Sequence, residues 1–560
     1  MRSKALTIGF VLVVSGSVTG TFLSSVKAQV NSYTNSANGK WEDSTNWSFG
    51  GPPASTQSIF ITNAITKTVT IDATTTNSPF TLTINDLTVS APAGSTNTLF
   101  LNNAGTATPL QILNGVTLET NGAVAVNNSA VLVSNATLTI GDTGGNTALT
   151  ITNGGMVTDS SATVGSNLFS TGNTVLVSGA GSVWNNSGEL DIGLSGLSNS
   201  LVIASGGSVN DTDGYIGRSS SAGNSVLVTG TGAVWNCSNS LYVGSTVSPT
   251  RGSDFLTIVN GGAVYSGESI VDIRGAGSSV LVAGHGSIWS NSDLQIGAFG
   301  SGSSLTVSNE ASVYSGGGSV GSDFGGNAVL ITDTGSVWNV SGSLLVGNFG
   351  SGNSLIISNC GRVFDNDAQV GNSGGPGDAS VLVTGSGSVW TNGGGLTFDR
   401  GGSPTYIALT IEARGRVDCA YTIIGNSNNG AFANTVMVTD TNSLLNTGSI
   451  SIGQVGSFNQ LIISNAATVH AAGTLSIGSD SFQQGNLVEL VDGGQLFVDN
   501  QAFVAATTTN SQATLFIPGG ITTLSSNLVV ASFAGTTGTV SITEGGQLNA
   551  TNGVIGIGND

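Results

Sequence analysis

The chain has 560 residues, of which 84 are glycine and only 8% are charged, with a net charge of −19 at pH 7. No lysine follows Lys67, which excludes the clustered basic residues that nucleic acid or an anionic membrane surface would require. A surface so poor in charge must be covered by Ser, Thr, Asn and Gly, as suits short strands joined by tight turns.

Residues 1–28 have the layout of a secretory signal: Arg2 and Lys4, an apolar run from Ala5 to about Val18, and a small-residue exit at Val26-Lys27-Ala28. Cleavage after Ala28 leaves Gln29 first and removes three basic residues, so 9 basic groups face 31 acidic ones, a net charge of −22. No stretch offers the ~20 apolar residues of a bilayer span. The expected product is secreted or held at the cell surface, associated with the outer membrane, and has no transmembrane span. Residues 29–80 follow no repeat and are expected to form a cap, with Trp41 and Trp47 sealing the first coil.

Residues 81–560 form an array, clearest over 149–480. Leu149, Leu201, Leu256, Leu305, Leu355, Leu409 and Leu461 open one phrase of the repeat. These 312 residues hold six units of two phrases, or about 26 residues per phrase. Each phrase has three strand-like pieces, such as Val226 to Thr229, Ala233 to Trp235 and Leu241 to Val243, separated by Gly and Asn. The fold expected is all-β: a right-handed parallel β-helix (β-solenoid) with three short strands per coil, the leucine column inward and almost no helix. Roughly 18 coils at the ~4.8 Å strand separation make a rod on the order of 90 Å long. The sequence closes on Ile555-Gly556-Ile557-Gly558-Asn559-Asp560, the end of an ordinary coil, so a longer precursor or another chain is expected to cover that edge.

Chemistry is sparse. A β-helix enzyme acting on acidic polysaccharide, the rival reading, needs paired carboxylates or a calcium cluster with a basic residue. The local candidates, Asp272 with Arg274 and Asp399 with Arg400, lack partners one coil away, and His285 and His470 are about seven coils apart. Solvated surface charge accounts for them, and no catalytic centre is expected. The acidic turns at 321–327 and 478–486 resemble fragments of calcium loops but lack the repeated Asp of such arrays. Cys237, Cys360 and Cys419 do not form a disulfide or metal spacing. Neither metal nor cofactor is expected.

The candidate binding residues are aromatic. Val183, Val234, Ile288, Val337 and Val389 align with Val209, Val264, Val313, Val363, Val417 and Val469 in the other coils. An invariant aliphatic belongs to the core, so its successor should point outward by the period of two. The outward ladder expected is Trp184, Trp235, Tyr265, Trp289, Tyr314, Trp338, Phe364 and Trp390, able to grip surface polysaccharide or another copy of the chain. The competing readings are that the rings only stack and stiffen the rod, or that the corner after each Trp tips it inward. A second outward row, Leu176, Leu227, Leu281, Leu330, Leu382 and Met437, with Val202, Thr257, Thr306, Ile356, Thr410 and Ile462 between them, gives a largely apolar stripe.

The unit VLVTGSGSVWTNGGGLTF at 381–398, alternating with NSLTIS-like coils carrying Gly-Gly, resembles the repeat shared by autotransporter passenger domains and proteins with PEP-CTERM sorting signals. The resemblance covers 149 to about 480 and implies an extracellular stalk, adhesin or surface-layer element. The family's C-terminal membrane barrel, with its alternating strands of ~10 residues, has no counterpart after residue 480. A PEP-CTERM tail is likewise not matched.

Overall fold

Short runs such as Val226-Leu227-Val228 can bury every second side chain only if another strand lies on each side, and the 26-residue period supplies that strand from the next coil. The computed structural model describes residues 28–75, 82–219, 221–247, 253–371, 379–398, 408–426, 433–506, 509–550 and 555–557. The proposed signal, save for Ala28, and the Asp399–Arg400 pair lie outside the described residues. The chain winds about 19 turns of a parallel β-solenoid with about 26 residues per coil. Ser44–Asn46 is the one helical turn among the described residues.

One coil shows the plan. Thr174–Ser178 belongs to a first sheet, Val183–Asn186 to a second and Glu189–Ile192 to a third. Each pairs in parallel with its equivalents one coil before and after. The leucine column from Leu149 to Leu461 is buried as expected, in register with Val175, Val226, Val280, Val329, Val381 and Val436.

At the corner leading back to the first sheet the interior is polar. Asn173, Asn199 and Asn224 are fully buried, and each backbone N–H and side-chain Nδ2 donates to the carboxamide or carboxylate oxygen one coil on, at 2.8–3.1 Å. The run resumes at Asn327 and Asn353, and again at Asn434, Asn459 and Asn486. Backbone groups that a bend would leave unpaired are thus satisfied inside the rod. Gly165, Gly193 and Gly425 close their coils at positive φ, where a Cβ would lie within 2.4 Å of the adjoining Asn side chain.

The first coils share this stack. Gln29–Ser32 pairs with Gln57–Ile61, and Gly39–Lys40 with Lys67–Asp72. Trp41 is fully buried, Trp47 donates its indole N–H to the Trp41 carbonyl at 2.9 Å, and their rings meet edge to face at 5.2 Å. Between this aromatic end and the tryptophan coils lies a small apolar cavity lined by residues such as Leu110, Val131 and Leu149, with room for about one water.

Candidate functional site

The expected outward ladder divides into two sets. Trp184, Trp235, Trp289, Trp338 and Trp390 are fully buried, and Val183, Val234, Ile288, Val337 and Val389 take the outward places instead. The cause is corner length. From Val177 to Trp184 is seven positions, but from Ile203 to Val209 is six, and the same difference separates Val228–Trp235 from Ile258–Val264. The register therefore pairs Trp184 with Val209 and Trp235 with Val264, so that indole and isopropyl alternate up one inward column. A slip of one residue turns every side chain of a strand to the opposite face.

Both corner types rely on left-handed backbone. The long one uses Gly179 and Gly181 at φ 93° and 77°, the short one Ser205 and Gly206 at 51° and 86°. The sequence signal for the offset is the spacing itself, one residue longer before each Val-Trp or Ile-Trp pair, and in the long corner the residue before that pair is drawn into the core. Ser182, Ala233, Ser287, Ser336 and Ser388 are all buried, and Ser182 donates to the Ser178 carbonyl at 2.7 Å while accepting from Gly154 N–H. Its burial goes with the following valine facing outward and the tryptophan inward.

The indoles need room across the core. In the third sheet the facing inward column alternates Leu190, Leu241, Leu294, Leu344 and Leu396 with Gly214, Ser269, Gly318 and Ala368. A Cβ on Gly214 would lie 2.7 Å from Trp235 Cζ2, and one on Gly318 2.9 Å from Trp338 Cζ2. Each indole therefore occupies space that its neighbouring coil leaves open, which explains why the sequence repeats every two coils.

Most of the indole N–H groups find an internal acceptor one coil back. Trp184 donates to Asp159 at 2.6 Å, Trp235 to Asp211 at 2.5 Å, Trp390 to Asp365 at 2.5 Å and Trp338 to Ser315 at 3.2 Å. Burial pushes the Asp159 carboxyl up to about 8 and those of Asp211 and Asp365 to about 7, against the opposing pull of the indole donors. Trp289 Nε1 and the Asn291 carboxamide have no partner among the described residues. Asp272, expected at the surface, is fully buried beside Asp254 in a break of the asparagine run, held by Ser278 and Ser303 at 2.8–2.9 Å. Coil geometry places it inside, so it is no candidate for surface chemistry.

Tyr265, Tyr314 and Phe364 do face outward, in one row with Ser290 and Asn339 between them, and the two tyrosines are 43% and 44% exposed. They stand two coils apart, about 9.6 Å, too far to stack on one another. The first-sheet stripe is also outward: Leu176, Leu227, Leu281, Leu330, Leu382 and Met437 sit in register with Val202, Thr257, Thr306, Ile356, Thr410 and Ile462.

Two surface features were not foreseen. Phe299, Phe324 and Phe349 project from the asparagine corner on successive coils, 52%, 54% and 42% exposed. On the third sheet, Arg218 pairs with Glu189 and Asp191 and lies 4.0 Å over the Tyr215 ring, which stacks on Tyr242 at 4.8 Å. Residues at one sheet position are 21 to 30 apart in sequence, so such clusters emerge only once the register is fixed. His285 meets Glu310, and His470 meets Asp499, each at 2.9 Å on the exposed surface. Among the described residues no group of three or more His, Cys, Asp or Glu is placed to hold a metal, the cysteines are free, and no helix is long and apolar enough to cross a membrane.

No family model matches the chain, and no curated protein matches it. Among solved structures, the crystal structure of a TibC-catalyzed hyper-glycosylated TibA fragment aligns with 78% of this chain and 100% of that one, at 14% identity and a TM-score of 0.25. A likeness this weak carries no argument about function.

Proposed function

We propose that the chain is an exported, non-catalytic β-solenoid that serves as a structural or adhesive element of the cell surface, in the manner of autotransporter passengers and PEP-CTERM-associated repeat proteins. The observation that carries this reading is the placement of large aromatic side chains in water along the rod. Phe299, Phe324 and Phe349 form an exposed ridge on three consecutive coils, and Tyr265, Tyr314 and Phe364 a second row. Rows of exposed rings on a rigid scaffold are contact material for polymer or for another rod. Its test replaces Phe299, Phe324 and Phe349 by Ser, and separately Leu227, Leu281 and Leu330 by Thr, then measures self-association by sedimentation and retention on surface polysaccharide. Folded variants that both behave like the parent would remove these two rows from the adhesive reading.

One observation favours the rival enzyme. Glu189, Asp191, Asp213 and Arg218 converge on a single stretch of the third sheet, with burial lifting the Asp191 carboxyl to about 6. Arg218, however, is committed to two carboxylates and a tyrosine ring, which leaves it unsuited to act as a base. Depolymerisation of polygalacturonate by the wild type, lost in Asp191→Asn, would replace the structural reading.

A further inference from the structure

The third sheet carries a groove of about 670 Å³ near its middle, walled by two adjacent outward columns. One column runs Ser343, Asp367, Gly395 and Tyr421, and the other Leu345, Gln369, Thr397 and Ile423. The groove exists because Gly395 lacks a side chain: a Cβ there would lie 1.9–2.3 Å from Tyr421 Cζ, Cε2 and Oη. The phenol of Tyr421 thus leans back over the coil before it and rests against Gly395, while the residue remains 42% exposed. Asp367 is held by Gly395 N–H at 3.0 Å and by Asn366 Nδ2 at 2.9 Å. No hydrogen bond among the described residues uses the Gln369 carboxamide, the Thr397 hydroxyl or the Tyr421 hydroxyl.

We infer that this groove binds a neutral pyranose unit of a glycan chain, an assignment that deepens the adhesive reading and rests on it. The Tyr421 ring, laid against Gly395, suits the C–H face of a sugar ring, and Leu345 adds an apolar patch two coils further along the groove. The free carboxamide and hydroxyls, with the Asp367 carboxylate, offer the donors and acceptors that sugar hydroxyls take up. Few convergent polar groups in a concave, partly apolar site are what fixes a small ligand's orientation. The charge decides between sugar classes: among the described residues Asp367 is the only charged one lining the groove, and the chain as a whole is strongly negative, so a uronic acid would be repelled.

The test is native affinity electrophoresis of the full exported chain through gels containing soluble β-glucan, galactomannan or polygalacturonate. Retardation is expected in at least one neutral polymer and not in polygalacturonate. Tyr421→Ala should weaken it at least tenfold and Gln369→Ala about threefold, with circular dichroism unchanged, whereas Tyr314→Ser on the second sheet should leave it intact. No retardation in either neutral gel, or retardation that survives Tyr421→Ala, overturns the groove. Loss with Tyr314→Ser but not with Tyr421→Ala also overturns it, while keeping the adhesive reading and moving the contact to the second sheet.

Discussion

Tryptophan coils and the coils between them have nearly the same text and opposite packing. In GAGSVWNN the valine faces water and the tryptophan fills the core, whereas in SGGSVN the valine is core and the next residue faces water. One additional residue in the corner makes the difference, by shifting the second strand half a pleat period before it joins the ladder. Matching repeats by their most similar letters therefore misassigns faces wherever a turn changes length.

Deleting Ala180, which sits exposed in the long corner, should have the largest effect. The shortened corner must either turn Trp184 to solvent or strain its coil, at a cost of several kcal/mol, since burying an indole removes ~150–250 Å² of surface from water at ~25 cal/mol/Å². Collisional quenching of tryptophan fluorescence should rise. Unchanged quenching and stability would show that corner length does not set the face.

Trp235→Ala should cost about 3–5 kcal/mol, against about 1.5 kcal/mol for Val264→Ala at the register-matched position. Amide exchange resolved along the rod is the suitable measurement, because a repeat array does not unfold in one step. Equal losses in the two coil types would contradict the unequal share of the core assigned to them.

Acid should separate tryptophan coils from one another. The folded carboxyls of Asp159, Asp211 and Asp365 titrate near 7 to 8 but at about 4 when unfolded, so between those values the folded state holds more protons. Stability is fully present below about pH 4 and is lost as pH rises towards 8, by on the order of 4–5 kcal/mol per site. Exchange protection around these carboxylates should be greater at pH 5 than at pH 8.5. Asp211→Asn should flatten the dependence, and the Trp338 coil, which uses Ser315, should show little of it. A uniform pH response along the rod would refute the assignment.

The smallest effect is expected from Tyr265→Ser and Tyr314→Ser, which remove outward rings and should change stability by less than about 0.5 kcal/mol. A loss comparable with that of Trp235→Ala would mean that these rings are part of the packing.

The sequence by itself determined the coil. Its 26-residue spacing, the buried Leu149-to-Leu461 column and the outward Leu176-to-Ile462 row follow from local alternation and are found as read. The first strand of every coil could be aligned because no corner of variable length intervenes between the leucine and its neighbours. Tertiary structure alone decided the rest. Whether Trp235 points in depended on how its strand docked against Val209 and Val264, and on the space left by Gly214. The burial of Asp272, the Arg218–Tyr215 cluster and the Tyr421 groove depend likewise on residues brought together from successive coils. Periodicity fixes which residues can alternate, but only hydrogen-bonded register between coils fixes which of the two faces each one takes.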